Sequence, residues 1–285
     1  YYHRHKYDGT ITNHIVYPLT RTLYGLRVRQ PIGGEFGVSA RLIARYLDRR
    51  DWETDVARYG IDIWMTTIAI AEGYRICQSF LGAKLHDPKD PAADLSAMLQ
   101  QVVGSVFALM EEYEAVWKKV TGSRPVDLFG FRFDVGLDPV PVNAERMRTA
   151  LITGYRELQE VWALALQRKT LEELARVCQQ AEAQPTRWRL EDDLWVRIIF
   201  EFACAWHRRR VQRGQLLRSF TPLYLGRVAS FVLETEHMLS AEVEERIERL
   251  CLVFEQAKPY LVSLWDLAGR TPEPRLEKVS AEVKT

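Results

Sequence analysis

Cysteine is scarce and scattered: four residues in 285, at positions 77, 178, 204 and 251. No two have Cys-x-x-Cys spacing, and each lies in an apolar context. That pattern fits isolated thiols in a core and a reducing, cytoplasmic compartment. No apolar run approaches the ~20 residues needed to cross a bilayer, and no signal-peptide pattern opens the chain. An excess of either charge is missing too, with 39 Lys and Arg against 38 Asp and Glu. This balance argues against general nucleic-acid binding and leaves only a local basic patch open. No internal repeat is visible. What is present is an ordinary globular composition, 47% hydrophobic and 27% charged, in a chain long enough to bury a sizeable core in one large or two ordinary domains. The sequence opens on "YYHRHKYDG" without a methionine, which reads as the start of a piece of a longer protein.

Two parts of the chain have different textures. Residues 1–95 are mixed and hold the glycine-rich turns. "GTITNHIVYPLTRTLYG" (9–25) predicts a helix, capped near Thr12 or Asn13 and stopped by Gly25, with Pro18 in its first turn or bending it. "RQPIGGEFG" (29–37) reads as a loop. "VSARLIARYLDR" (38–49) reads as an amphipathic helix, and "GIDIWMTTIAIAEG" (60–73) as an apolar, buried helix bounded by glycines. "YRICQSFLGAKLH" (74–86) is the strong strand candidate. From residue 94 onward the spacing predicts helices over 94–119, 143–168, 170–183, 190–213, 221–237 and 240–264. Thr170-Leu171-Glu172-Glu173 reads as a capping box, Thr221-Pro222 as a helix start and Gly214 as the preceding helix stop. The intervening 121–142 is a long loop, with a strand allowed within 126–142, and 271–285 reads as a flexible, charged tail.

Several residues could carry chemistry. The predicted strand delivers His86 to its end, with "DPKDP" directly behind. A neutral imidazole there is a good divalent-metal ligand, and Lys89 offers a point charge to a phosphate; the alternative is a surface turn punctuated by Asp-Pro. Asp62 is a carboxylate inside an apolar helix. It is either a first-turn residue favoured by the helix dipole or an active-site carboxylate beside a cleft. Arg4 and Lys6, with His3 and His5, form a basic loop running into a helix start. Such a loop suits a phosphate, or is an exposed terminus. "WHRRRVQRG" (206–214) reads as a solvated charged face or, less simply, as a surface for an anionic partner through Arg208-Arg209-Arg210. The aromatic residues Trp117, Trp162, Trp195 and Tyr224 read as core.

Four segments in order, the basic aromatic loop leading into "DGTITN", then "RQPIGGEFG", "YGIDIWMTT" and "LGAKLHDPKDP", resemble the C-terminal half of the retaining sugar-nucleotide glycosyltransferases of the glucosyl-3-phosphoglycerate synthase and mannosylglycerate synthase type. The resemblance covers roughly residues 1–95. It implies an α+β, mainly α chain: the C-terminal half of a GT-A type α/β domain (1–95, the acceptor and metal side) followed by a helical region (96–270) and the tail. It implies His86 as a ligand of Mg²⁺ or Mn²⁺ on the donor diphosphate, Lys89 on the diphosphate in place of an arginine, and Arg4 and Lys6 on the same group. It implies Asp62 facing the acceptor as the catalytic carboxylate, Gly9, Thr10 and Thr12 holding the carboxylate or phosphate of a glycerate-like acceptor, and Gly33, Gly34 and Glu35 lining the same cleft. The sequence departs from that type in having no Asp-x-Asp motif and no nucleotide-binding half before it; Asp192-Asp193 falls in a helix and does not substitute.

The expectation is therefore a cytoplasmic, metal-dependent hexosyltransferase or a fragment of one. It would take a nucleotide-sugar donor and a small polar acceptor and make a compatible-solute type of glycoside, without nucleic acid or a membrane span and with self-association possible. The alternative is a non-catalytic helical module for interaction or oligomerisation.

Overall fold

The computed structural model describes residues 1–83, 95–131, 140 and 142–269. Helix dominates, with a few short parallel strands, so the mainly-α expectation holds.

The first helical stretch starts at Thr10, two residues before the predicted cap, and runs through a π-helical turn, Thr12–Val16, into α1 (Tyr17–Tyr24). Pro18 falls in the first turn of α1 but inside the continuous helical stretch, where it offers no N–H to the His14 carbonyl. Gly25 ends α1 in the left-handed region at φ 73°, where a Cβ would also meet the Gly122 carbonyl oxygen at 2.9 Å. Next come β1 (Leu26–Arg27), α2 (Ala40–Leu47) and α3 (Ile61–Ala71). The Ser39 hydroxyl caps α2 by accepting from the Leu42 amide at 3.3 Å, and α2 buries only Leu42 and Tyr46. As its sequence requires, α3 is buried over most of its length, from Ile63 to Ile70.

The strand predicted over 74–86 is much shorter. β2 is Cys77–Ser79, and its side chains are exposed or half-buried rather than buried. Leu81 and Cys77 face solvent, so the buried-strand reading and the expectation of a core setting for every thiol are corrected there; the other three thiols are buried. The physical reason is lack of cover: β2 pairs parallel with β4 (Asp127–Phe129), and Tyr1–His3 lies along its other edge through the His3 amide to the Gly82 carbonyl at 2.8 Å and a parallel bridge between His3 and Ala83. β1 pairs parallel with β3 (Arg124–Pro125). Parallel sheets are normally buried on both faces; here β3 and β4 are exposed, and β1 is half-buried with Leu26 against the core. Side-chain amides extend the sheet instead. Gln30 both accepts from and donates to the Tyr2 backbone, at 3.0 and 2.7 Å, and Gln78 does the same for the Arg29 amide and the Arg27 carbonyl, at 2.6 and 3.4 Å.

The helical region comprises α4 (Ser96–Glu112), α5 (Glu114–Trp117), α6 (Ala144–Glu157), α7 (Gln159–Ala165), α8 (Arg168–Ala183), α9 (Asp192–Arg208), α10 (Arg213–Thr235) and α11 (Ser240–Gly269). Three predicted boundaries move. α8 starts two residues before the capping box; Thr170 instead donates to the Glu201 carboxylate at 2.6 Å, and Glu173 pairs with Arg197. Gly214 does not stop a helix but lies in the first turn of α10, and Thr221-Pro222 lies inside it. The Pro222 ring is accepted because Gly154 of α6 leaves room: a Cβ there would lie 2.5 Å from Pro222 Cβ.

One hydrophobic cluster runs through both parts of the chain, from Ile15, Leu19 and Trp64 to Trp195, Leu223 and Trp265. Trp117, Trp162, Trp195 and Tyr224 all belong to this core. At its margin Asp192 accepts from buried Arg227 at 2.6 Å and from Arg246 at 2.7 Å. Burial alone would raise the Asp192 pKa, but Arg227 and Arg246 outweigh it and hold the carboxyl below its ordinary value. Among the described residues no helix is long and apolar enough to cross a membrane.

Candidate functional site

The chain enters the site through a tight turn, in which the Asp8 amide donates to the His5 carbonyl at 2.8 Å and Gly9 takes φ 74°. The left-handed glycine lets the chain turn directly into the helix starting at Thr10, whose hydroxyl is fixed by the Tyr224 hydroxyl at 2.6 Å. Across from this turn, the 29–37 loop is pinned to α3 by the Thr66 hydroxyl, which donates to the Pro31 carbonyl at 2.8 Å. Asp62 occupies the first turn of α3 after Gly60, where unpaired helix N–H groups and the dipole favour an anion.

These pieces enclose a cleft of about 250 Å³. Arg4, Gly9, Thr10 and Thr12 line it from the turn, Gly33 and Gly34 from the loop and Asp62 from α3. Met98 and Val102 of α4 form an apolar part of its wall. Seven of the residues singled out from the sequence therefore meet in one cavity, although they come from three separate segments. Glu35 departs from the expectation: it lines a larger, mostly apolar chamber of about 500 Å³ bounded by Val38, Leu42, Met65 and Ile76, and only Gly33 lines both.

Arg4 is the cation of the cleft. Its Nη2 reaches the Gly33 carbonyl only at 3.5 Å, and its Nε is buried without a hydrogen-bond partner. Burial pushes the guanidinium pKa down, partly offset by Asp8 and Glu35. A guanidinium lining a cleft can bind an oxyanion there, although the Asp8 carboxylate lines the same cleft. Lys6 has another task. Its ammonium donates to the carbonyls of Thr235, Glu236 and Met238 at 2.7, 2.9 and 3.0 Å, which occupies all three N–H groups and caps the end of α10. That geometry corrects the reading of Lys6 as a diphosphate contact. His86 and Lys89 lie outside the described residues. Among the described residues, no group of three or more His, Cys, Asp or Glu could hold a metal ion.

Sequence reasoning missed the support behind the cleft. Tyr224, read only as core, orients Thr10 from α10. Arg29 holds Asn13 Oδ1 at 2.9 Å and Glu244 through two further bonds, tying the turn to α11. The two residues of each contact are 16 to 215 positions apart, and no local pattern marks such pairs. No protein-family model matches this sequence, and no curated protein matches it significantly.

Proposed function

We propose that this chain forms the acceptor-binding side of a retaining, GT-A type hexosyltransferase that moves a sugar from a nucleotide donor to a small, anionic, hydroxylated acceptor of the glycerate class. The observation that carries the reading is the cleft itself: a half-buried arginine and a carboxylate at a helix N-terminus line one cavity. Arg4, assigned from the sequence to the donor diphosphate, lines the same cleft as Gly9, Thr10 and Thr12, and in this reading it binds the acceptor's carboxylate or phosphate with that turn. Asp62 orients its hydroxyl toward the sugar. In a retaining transfer the hydroxyl attacks from the face the diphosphate leaves, so a departing phosphate oxygen can take the proton and Asp62 need not be a strong base. The bond to the sugar breaks as negative charge grows on the leaving diphosphate, and cations fixed near it stabilise that charge most in the transition state. His86 is the residue assigned to a Mg²⁺ or Mn²⁺ ion, which would supply part of that stabilisation when bound.

Calorimetric titration of the protein with D-glycerate and with 3-phosphoglycerate tests the acceptor half of this reading. Saturable binding that weakens at least about tenfold in Arg4→Gln supports it, since a charge-assisted hydrogen bond is commonly worth that much. Binding that is absent, or equal in parent and variant, refutes it.

A further inference from the structure

A second polar cavity, of about 230 Å³, lies at the junction of α7 and α8, against the C-terminal half of α9 and the end of α11. Arg168, Arg208 and Arg210 all line it. The left-handed Arg209, at φ 54°, ends α9 and turns the chain between the last two, so that both Arg208 and Arg210 border the same space. The cavity holds one acidic side chain, Glu201, and that carboxylate is already engaged. It accepts from the Gln167 amide at 2.7 Å and from the Thr170 and Tyr260 hydroxyls, both at 2.6 Å. The arginines are not matched in this way. Arg208 donates from Nη2 to the Leu264 carbonyl at 2.9 Å, while its Nε is buried with no partner. Arg168 pairs with Glu172 at 2.8 Å, but both side chains are largely exposed, so that pair holds it weakly. Three arginines thus border one cavity that holds a single, internally satisfied carboxylate, with Arg168 at its solvent-exposed rim.

We propose that this cavity binds a small oxyanion of the phosphate class, with Arg208 and Arg210 as its principal ligands and Arg168 at the rim. Planar guanidinium forks match the geometry of phosphate and carboxylate oxygens, and two arginines on one polar cavity can present such forks to a bound oxyanion. The cavity is separate from the acceptor cleft in sequence and in lining residues, and the inference stands whether or not the glycosyltransferase reading does.

The test is calorimetric titration of the intact protein with inorganic phosphate and with pyrophosphate, at ionic strength held constant with chloride. Malonate and citrate form a parallel arm that separates phosphate from carboxylate recognition. The expected result is saturable binding of phosphate or pyrophosphate that weakens at least about fivefold in Arg210→Gln and more in Arg208→Gln, and that persists in Arg4→Gln. Arg210 is exposed, so Arg210→Gln keeps the fold and decides the matter even if Arg208→Gln does not fold. Preference for malonate or citrate over phosphate would overturn the phosphate assignment. Absence of saturable binding at millimolar ligand, or equal affinity in Arg210→Gln and parent, would overturn the site.

Discussion

The indole N–H of Trp195 donates to the backbone carbonyl of His14 at 2.9 Å. Four residues after His14 the helix carries Pro18, which has no N–H to offer that carbonyl. A side chain from α9 thus serves the backbone of the helical stretch that begins at the cleft. Trp195→Phe keeps most of the aromatic packing and removes the donor. The expected loss is about 1–3 kcal/mol of unfolding free energy, the cost of stranding a buried acceptor, measured by urea denaturation. No measurable loss would mean that the carbonyl is satisfied without the indole.

Lys6 and Arg4, two residues apart, are expected to separate stability from binding. Lys6→Met removes three bonds to the end of α10 and should lower stability by about 1.5–3 kcal/mol while leaving oxyanion binding in the cleft unchanged. Arg4→Gln should do the reverse: weaker binding with stability preserved or slightly raised, because a half-buried, poorly paired charge is removed. Thermal unfolding and calorimetry on the same two variants check this, and parallel effects on both quantities would contradict the division of roles.

Lys258 gives a pH signature. Its ammonium donates to the carbonyls of Thr22 and Val120. Burial nevertheless lowers its pKa from 10.5 to about 8, with Glu255 opposing. Between about pH 8 and 10.5 the unfolded chain holds a proton that the folded chain has released, so this residue's contribution to stability rises with pH across that window and is flat below it. The stability difference, parent minus Lys258→Met, should therefore increase from pH 8 to 10. Taking the difference cancels the titration of groups common to both proteins. A flat difference would show that the folded amine keeps its ordinary pKa.

What was legible in the sequence was local. Apolar period and glycine bounds marked α3 correctly, and the Gly25 stop was real. Errors arose where a residue with a strong local preference had a stronger distant partner. Thr170 and Glu173 have capping-box spacing, but Glu201 and Arg197 claim them. Gly214 and Pro222 look like helix punctuation, but packing of α10 against α6 carries the helix through both. In the candidate site, the residue types at the Gly9 turn, at Gly33-Gly34 and at Asp62 were readable because turns and helix starts constrain composition. The occupation of Lys6 by α10 carbonyls more than 200 positions away was not, since nothing near Lys6 encodes it.

The central claim, that the Arg4 and Asp62 cleft serves a metal-dependent hexosyl transfer, is tested most directly by initial rate against Mn²⁺ concentration. The assay uses the native gene product with a nucleotide-hexose donor and glycerate or 3-phosphoglycerate, for the parent, Asp62→Asn and His86→Ala. The account predicts that Asp62→Asn lowers turnover with an unchanged metal dependence. It predicts that His86→Ala lowers the rate by more than about tenfold at limiting metal, with partial recovery at excess Mn²⁺, as expected when a metal-site residue is lost. Rates equal to the parent in both variants, or no hexose transfer from any nucleotide-hexose donor, would contradict it.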